Sequence, residues 1–257
     1  MKCQEIFKRI EKRIPKSWAE EWDNPGLAVS ADSREIDKIA LALDATPDNV
    51  IQASEAGAGR LFTHHPLIFR PLKKVTEETF VGRTVIEAIK RDITIYSAHT
   101  NWDSSPEGVN FVLAAELGLT ELSPLVPAVN GGWGLGVTGR LAEPLSMEQF
   151  AKLLSESWQL TDLTCYGDGP VSLVAAGGGS CGEFWREAKA AGADIFITAD
   201  MGYHLREEAL DEGLAIALCD HGEMERASLK ALSAIIESET ELPVVLLDEK
   251  KHQFIRG

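Results

Sequence analysis

Two rhythms of apolar residues alternate along this chain of 257 residues: short uninterrupted runs and longer stretches with helical spacing. Ile39-Ala-Leu-Ala-Leu-Asp44 is an apolar run that ends in a carboxylate. Thr46 then suits a helix cap and Pro47 a first helical residue, which predicts a helix through Ala56 closed by Gly57-Ala-Gly59. Leu61-Phe62-Thr63 and Ile93-Thr-Ile-Tyr96 predict two further strands, with an amphipathic helix over Val81 to Lys90 between them. Three predicted strands therefore run out into polar groups, at Asp44, His64 and His99. Ligands collect at the carboxyl ends of strands in open α/β sheets, so one functional edge is expected there.

The same alternation continues to the other end. A helix over Glu107 to Leu117 stops at Gly118, and the stretch Leu122 to Pro127 with Asn130-Gly-Gly132 reads as a linker. Beyond it come a strand over Gly134 to Leu141 and a helix over Met147 to Trp158 with Ser146 as its cap. Strands are predicted over Val171 to Ala176, Asp194 to Thr198 and Leu214 to Cys219, with helices over Glu183 to Ala191 and Tyr203 to Glu212 between them. A long helix over Met224 to Ser238 and a strand over Pro243 to Leu247 end the pattern, and no repeat of fixed period is present. The predicted class is α/β, with two α/β domains built on mixed sheets: residues 1–125 plus 223–257 form the first and 126–222 the second.

Composition narrows the function classes. Apolar residues make up 44% of the chain, enough for a proper core. No apolar run approaches the roughly 20 residues that span a bilayer. The stretch Met1 to Arg9 reads as an amphipathic helix rather than a signal peptide, so the expectation is a cytoplasmic protein with no membrane partner. Cys3, Cys165, Cys181 and Cys219 are scattered without a Cys-x-x-Cys pair, which suits reduced thiols better than a disulfide framework or a zinc ribbon. Net charge is −15 and basic residues cluster no further than pairs such as Lys73-Lys74 and Lys250-Lys251, so nucleic acid is not an expected partner.

Candidate chemistry is concentrated in histidines. Four of the six lie in three short polar motifs: Thr63-His64-His65-Pro66, His99-Thr-Asn-Trp-Asp103 and His221-Gly-Glu-Met-Glu225. Neutral imidazole with carboxylate is a ligand set that first-row divalent metals prefer, so a metal centre with more than one ion is the first inference. Adjacent histidines on a regular strand would point to opposite faces. Pro66 holds the preceding residue extended while the chain turns, which leaves both rings available; the competing reading is one buried and one exposed histidine. Asp103 can supply a shared carboxylate from the loop after His99, or cap a turn through its own backbone. His221 and Glu225, four apart at a helix start, share a face, whereas Glu223 lies about 200° around from His221. An ordinary surface pair is the alternative.

Asp200 and His204 form a further pair, suited to orienting ligands or to acid–base work, against the alternative of a capping Asp200 and a solvent-facing His204. Gly177-Gly-Gly179 lacks the Gly-Lys-Ser/Thr of a P-loop and the spacing of a dinucleotide fingerprint, so a tight turn is its expected role. No Gly-x-Ser-x-Gly elbow occurs, and Cys219 on an apolar strand is expected to be buried and protonated, which sets covalent catalysis aside.

The chain resembles the NIF-three-like family, whose members carry the name GTP cyclohydrolase 1 type 2 homologue. The resemblance runs through Trp22-Asp-Asn-Pro-Gly-Leu27, Ala42-Leu-Asp44-Ala-Thr46-Pro47, the His-His-Pro and His-Thr-Asn-x-Asp blocks, Gly108-Val-Asn110, Asp200 with Tyr203-His204, and His221-x-x-x-Glu225. Longer members have an inserted domain for which this length has no room. The resemblance implies two α/β domains, a di-metal site in the cleft between them and a toroidal homohexamer. It implies His64, His65, Asp103, His221 and Glu225 as metal ligands, with His99 close by. Asp220 stands where the family has glycine before the histidine, Met224 where it has threonine, and Ala199 where it has glycine before Asp200.

The resulting expectation is a metal-dependent hydrolase of a small molecule, a nucleotide or a cyclic amide-like compound, with His99 or His204 moving protons. Two divalent ions per subunit are expected, and zinc, iron, manganese, cobalt and nickel suit such ligands alike. The rival is a metal-binding or metal-delivery protein, or a ring-shaped interaction scaffold. Open coordination positions separate the two, and five ligands for two ions leave some.

Overall fold

A computed structural model describes residues 3–31, 35–129 and 131–247. Met1 and Lys2 of the predicted first helix, Asn130 of the predicted linker and the Lys250-Lys251 pair lie outside these. The chain divides into two compact units, residues 1–16, 20–99 and 232–257 in one and residues 17–19 and 100–231 in the other.

The first unit contains α1 (Cys3–Arg13), β1 (Gly26–Val29), β2 (Ile39–Ala42), α2 (Pro47–Glu55), β3 (Arg60–Thr63), α3 (Phe80–Lys90) and β4 (Thr94–Ser97). Its five-stranded sheet has the order β1-β4-β3-β2-β13, with β13 spanning Val244–Leu246. All pairs are parallel except β1 with β4. Every residue of β2, β3 and β4 is buried, because both faces of the sheet are covered. Ala40, Ala42, Leu61 and Ile95 join Val50 and Ala53 of α2 and Val85 and Ala88 of α3 in one cluster. Phe62 and Tyr96, each one residue on, meet Phe7 of α1 at ring separations of 5.9 and 4.5 Å. Thr46 caps α2 through the Asn49 amide and Pro47 opens it, as expected from the sequence.

The second unit contains α4 (Thr100–Asp103), α5 (Val109–Glu116), β5 (Thr120–Ser123), β6 (Val126–Pro127), β7 (Gly134–Leu135), β8 (Val137–Ser146), α6 (Met147–Trp158) and β9 (Leu163–Tyr166). It continues with β10 (Pro170–Ala176), α7 (Trp185–Ala190), β11 (Ile195–Thr198), α8 (Tyr203–Asp211), β12 (Ala215–Cys219) and α9 (His221–Arg226), followed by the start of α10 (Leu229–Thr240). A six-stranded mixed sheet has the order β5-β8-β10-β11-β12-β9, in which β10, β11 and β12 are parallel. Ala175, Phe196 and Ile216 of those strands pack with Trp185, Ala188 and Ala209 of α7 and α8. Ser146 caps α6 in a reciprocal box with Gln149.

Three local expectations change. The stretch Leu122 to Gly132 is not a linker between the units: β5 pairs with β8, so residues 100–125 belong to the second unit. Residues 100–103 form a buried helical turn rather than a loop, closed by the Ser104 amide on Thr100 O at 2.9 Å. The long helix expected from Met224 is two helices. It breaks at Ala227-Ser228, where the Ser228 amide and hydroxyl both donate to Glu225 O. Among the described residues no helix is long and apolar enough to cross a membrane.

Candidate metal centre

In the first unit the parallel ladder runs one step past the strand ends. The His64 amide donates to Ala42 O, His65 to Leu43 O and Ala98 to Thr63 O, at 3.0 to 3.3 Å. These bonds set the backbone of His64 and His65 beside Asp44 and Ala98. The Thr63 hydroxyl donates to His65 O at 2.8 Å and closes the turn before Pro66. That turn defeats the two-face alternation of a strand, and the adjacent rings come to 4.9 Å between centroids. His99 follows β4 and its ring lies 5.3 Å from that of His64 and 5.7 Å from that of His65. One donor atom from each of the three falls within 4.8 Å of the others.

Each ring is held from behind. His64 Nδ1 faces Ala98 O at 3.0 Å, His65 Nδ1 faces Asp44 Oδ1 at 2.8 Å, and His99 Nδ1 faces Asp23 Oδ1 at 2.8 Å. Carbonyl and carboxylate oxygens only accept, so these contacts assign the proton of each neutral ring to Nδ1 and the lone pair to Nε2. His64 is fully buried, His65 retains 23% side-chain exposure and the Asp23 carboxylate has none. Burial of one histidine and exposure of its neighbour were the terms of the competing sequence reading; the facing rings combine that burial difference with convergence.

The second unit repeats the plan at the carboxyl ends of β10, β11 and β12. Asp200 follows β11, and its Oδ2 lies 2.8 Å from His221 Nδ1. Asp220 follows β12 and caps α9 by accepting from the Glu223 amide at 2.8 Å. This cap strengthens the start of the helix that carries both candidate ligands. One turn on, Glu225 is 3% exposed and its Oε2 lies 3.1 Å from His221 Nε2. That burial removes the surface-pair alternative. Glu223 turns away as its helical phase requires and accepts from the Thr161 amide and hydroxyl, both at 2.6 Å.

The triple glycine after β10 is a turn that needs the absence of side chains. A Cβ on Gly178 would lie 2.6 Å from Val109 Cγ1, and one on Gly179, whose φ is +71°, would lie 2.3 Å from Glu225 Oε1 and 3.1 Å from His221 Nε2. The buried Asn110 ties this turn to Asp103, accepting from the Gly178 amide at 2.9 Å and donating to Asp103 O at 3.2 Å. Asp103 is itself buried at the end of α4. Burial pushes the Cys181 thiol far up from its ordinary value, and the nearby charges of Asp103 and Glu225 push in the same direction. Cys219 is likewise pushed up to about 12, mainly by burial, so it stays a thiol at neutral pH.

Asp200 therefore serves His221 rather than His204, which is exposed on α8 with its ring 5.2 Å from that of Tyr203. Sequence reasoning missed the anchoring roles of Asp23 and Asp44. Both lie in motifs it singled out, Trp22-Asp-Asn and Leu43-Asp44 at a strand end, and the signal available was a carboxylate at the carboxyl edge of the sheet beside a histidine.

The family model Duf34/NIF3 (NGG1p interacting factor 3) matches residues 1–253. A GTP cyclohydrolase 1 type 2 homolog of Clostridium perfringens is 34% identical over 98% of this chain and 97% of its own length. NIF3-like protein 1 of Drosophila melanogaster is 30% identical over 91% of this chain and 82% of its own. Among solved structures, a Bacillus cereus protein related to NIF3 shares the fold with a TM-score of 0.92 at 24% identity, covering all of this chain and 99% of that one.

Proposed function

The chain belongs to the Duf34/NIF3 family, and on that premise we propose that it is a di-metal-binding protein that hydrolyses a nucleotide or cyclic amide-like small molecule. One observation carries the reading: Nδ1 of His64, His65, His99 and His221 each faces an oxygen acceptor at 2.8 to 3.0 Å, which makes Nε2 the potential ligand atom of each ring. Metal-binding histidines are oriented in this way, and solvated surface histidines have no need of it. His221 adds a second point. With Nδ1 facing Asp200, its Nε2 sits 3.1 Å from the Glu225 carboxylate, so two atoms of kinds that ligate divalent metals lie side by side.

In this reading His64, His65, Asp103, His221 and Glu225 hold two divalent ions, and the imidazole and carboxylate donors suit zinc, iron, manganese, cobalt or nickel. Bound ions of this kind lower the pKa of a coordinated water towards neutrality and stabilise a developing oxyanion. Ala98 O, Asp44 and Asp200 keep the ligand rings aimed. His99, with its Nδ1 proton held on Asp23 and its ring 5.3 Å from that of His64, would take up a proton at Nε2, whereas His204 is exposed on α8. Assembly as a homohexameric ring is proposed from the family resemblance alone, with mass in solution as its test.

Anaerobic purification with elemental analysis, followed by screening of the metal-loaded protein against nucleotides, phosphoesters and cyclic amides, tests the function. Turnover of one of these classes supports it, whereas stoichiometric metal with no turnover under any metal would favour delivery or storage. Asp44→Ala is expected to weaken metal binding by roughly 10- to 100-fold in competition with a chelator, since it frees the His65 ring while leaving its Nε2 intact. The Asp44 side chain is 48% exposed, so the circular dichroism spectrum should not change. Unaltered metal affinity would show that this carboxylate does not orient a ligand.

A further inference from the structure

The segment Trp22-Asp23-Asn24 is fixed on both sides. The Asp23 carboxylate, with no exposure, holds His99, and the Asn24 side-chain Nδ2 donates to Ile68 O at 2.6 Å. Trp22 is nevertheless 59% exposed and Phe69 43% exposed. The Asp23 amide also donates to Glu20 O at 3.0 Å, so the exposed indole lies between residues that are each tied down. Its neighbours say what the exposure is for. Trp22 and Phe69 meet edge to face at 5.8 Å, and both abut His99, at 6.3 and 6.2 Å between centroids. His99 in turn touches the rings of His64 and His65. In each of these pairs the edge of one ring meets the face of the other, and the part of each aromatic surface that remains in water is what a planar ligand could stack on.

Resting on the reading of these histidines as part of a metal centre, we propose that Trp22 and Phe69 form a stacking wall that selects a substrate bearing a planar heteroaromatic ring of nucleobase type. Such a ring gains from a π-face irrespective of its hydrogen-bonding edge, and stacking on an aromatic side chain is worth enough to shift affinity by about tenfold. An aliphatic or sugar-only substrate gains little there. A ring stacked on either residue lies next to His99, so its own substituents are delivered to the imidazole set. Asp23 thereby has two tasks: it aims His99 and it fixes the indole beside it.

The test titrates the metal-loaded full chain with guanosine 5′-monophosphate and nicotinamide mononucleotide, with ribose 5-phosphate as the ringless control. The wild type should bind at least one base-bearing probe about tenfold more tightly than the control, and Trp22→Ala and Phe69→Ala should each remove most of that preference while binding ribose 5-phosphate unchanged. Trp22→Phe should keep most of it. Metal content, measured in parallel, should be the same in all four proteins. A wild type that purifies and reconstitutes without metal would defeat the metal-centre reading. Full metal with no preference for the base-bearing probes, or a preference indifferent to Trp22→Ala, would defeat the stacking wall alone. So would a drop in mass in solution on Trp22→Ala with ligand binding intact, because the patch would then join copies of the chain.

Discussion

Stoichiometric metal is expected to disappear from the purified protein when His65 is replaced by alanine. The substitution removes the Nε2 donor, so the loss should exceed the roughly 10- to 100-fold that removal of an orienting partner produces. Little else should change. The His65 side chain is 23% exposed, its Nδ1 partner Asp44 is 48% exposed, and the backbone bond from the His65 amide to Leu43 O does not depend on the side chain. Elemental analysis together with a urea midpoint separates the effects. Unchanged metal content would remove His65 from the ligand set, and a collapsed midpoint would reveal a structural role that this exposure does not support.

The second large effect is expected at a residue with no side chain. In Gly179→Ala the new methyl would lie 2.3 Å from Glu225 Oε1 and 3.1 Å from His221 Nε2. The carboxylate is the far end of a flexible side chain and can yield, so the fold should survive at a cost of about 1–3 kcal/mol from the clash and the positive φ. What it cannot keep is its place, because Glu225 is 3% exposed and has one turn of helix to reach His221. Metal affinity should therefore fall by at least about tenfold, out of proportion to the stability change. Gly57→Ala is the matched control: its φ of +74° carries a similar backbone penalty and no atom lies within 4 Å of the added Cβ. Equal metal content in the two variants would mean that the triple glycine is a turn and nothing more.

Much of this was legible in the sequence because it is written locally. Capping by Thr46 and Ser146, proline at the start of α2, and the apolar runs of β2, β3, β10, β11 and β12 depend on residues within a few positions of each other. The four-residue spacing of His221 and Glu225 is likewise a property of one helical turn. Other features depend on partners far along the chain. Asp23 meets a ring 76 positions away and Asp44 one 21 positions away, and no periodicity announces either pairing. The strands β1, β5 and β9 are four residues each, lie at sheet edges and alternate weakly, with Thr120–Ser123 largely exposed, so pattern alone does not mark them. The break between α9 and α10 escapes for another reason: Ala227 and Ser228 are tolerable inside a helix, and only the packing of Ser228, which accepts from the Trp102 indole at 3.3 Å, favours the turn.

The oxygen behind each imidazole also bears on timing. Rotation about the side-chain torsions is surrendered when each unit folds, since Ala98, Asp23 and Asp44 lie in the same unit as the rings they hold, and Asp200 in that of His221. In the proposed centre a cation would meet donors that have already given up that entropy, so its binding would not have to meet the cost of fixing those rotamers.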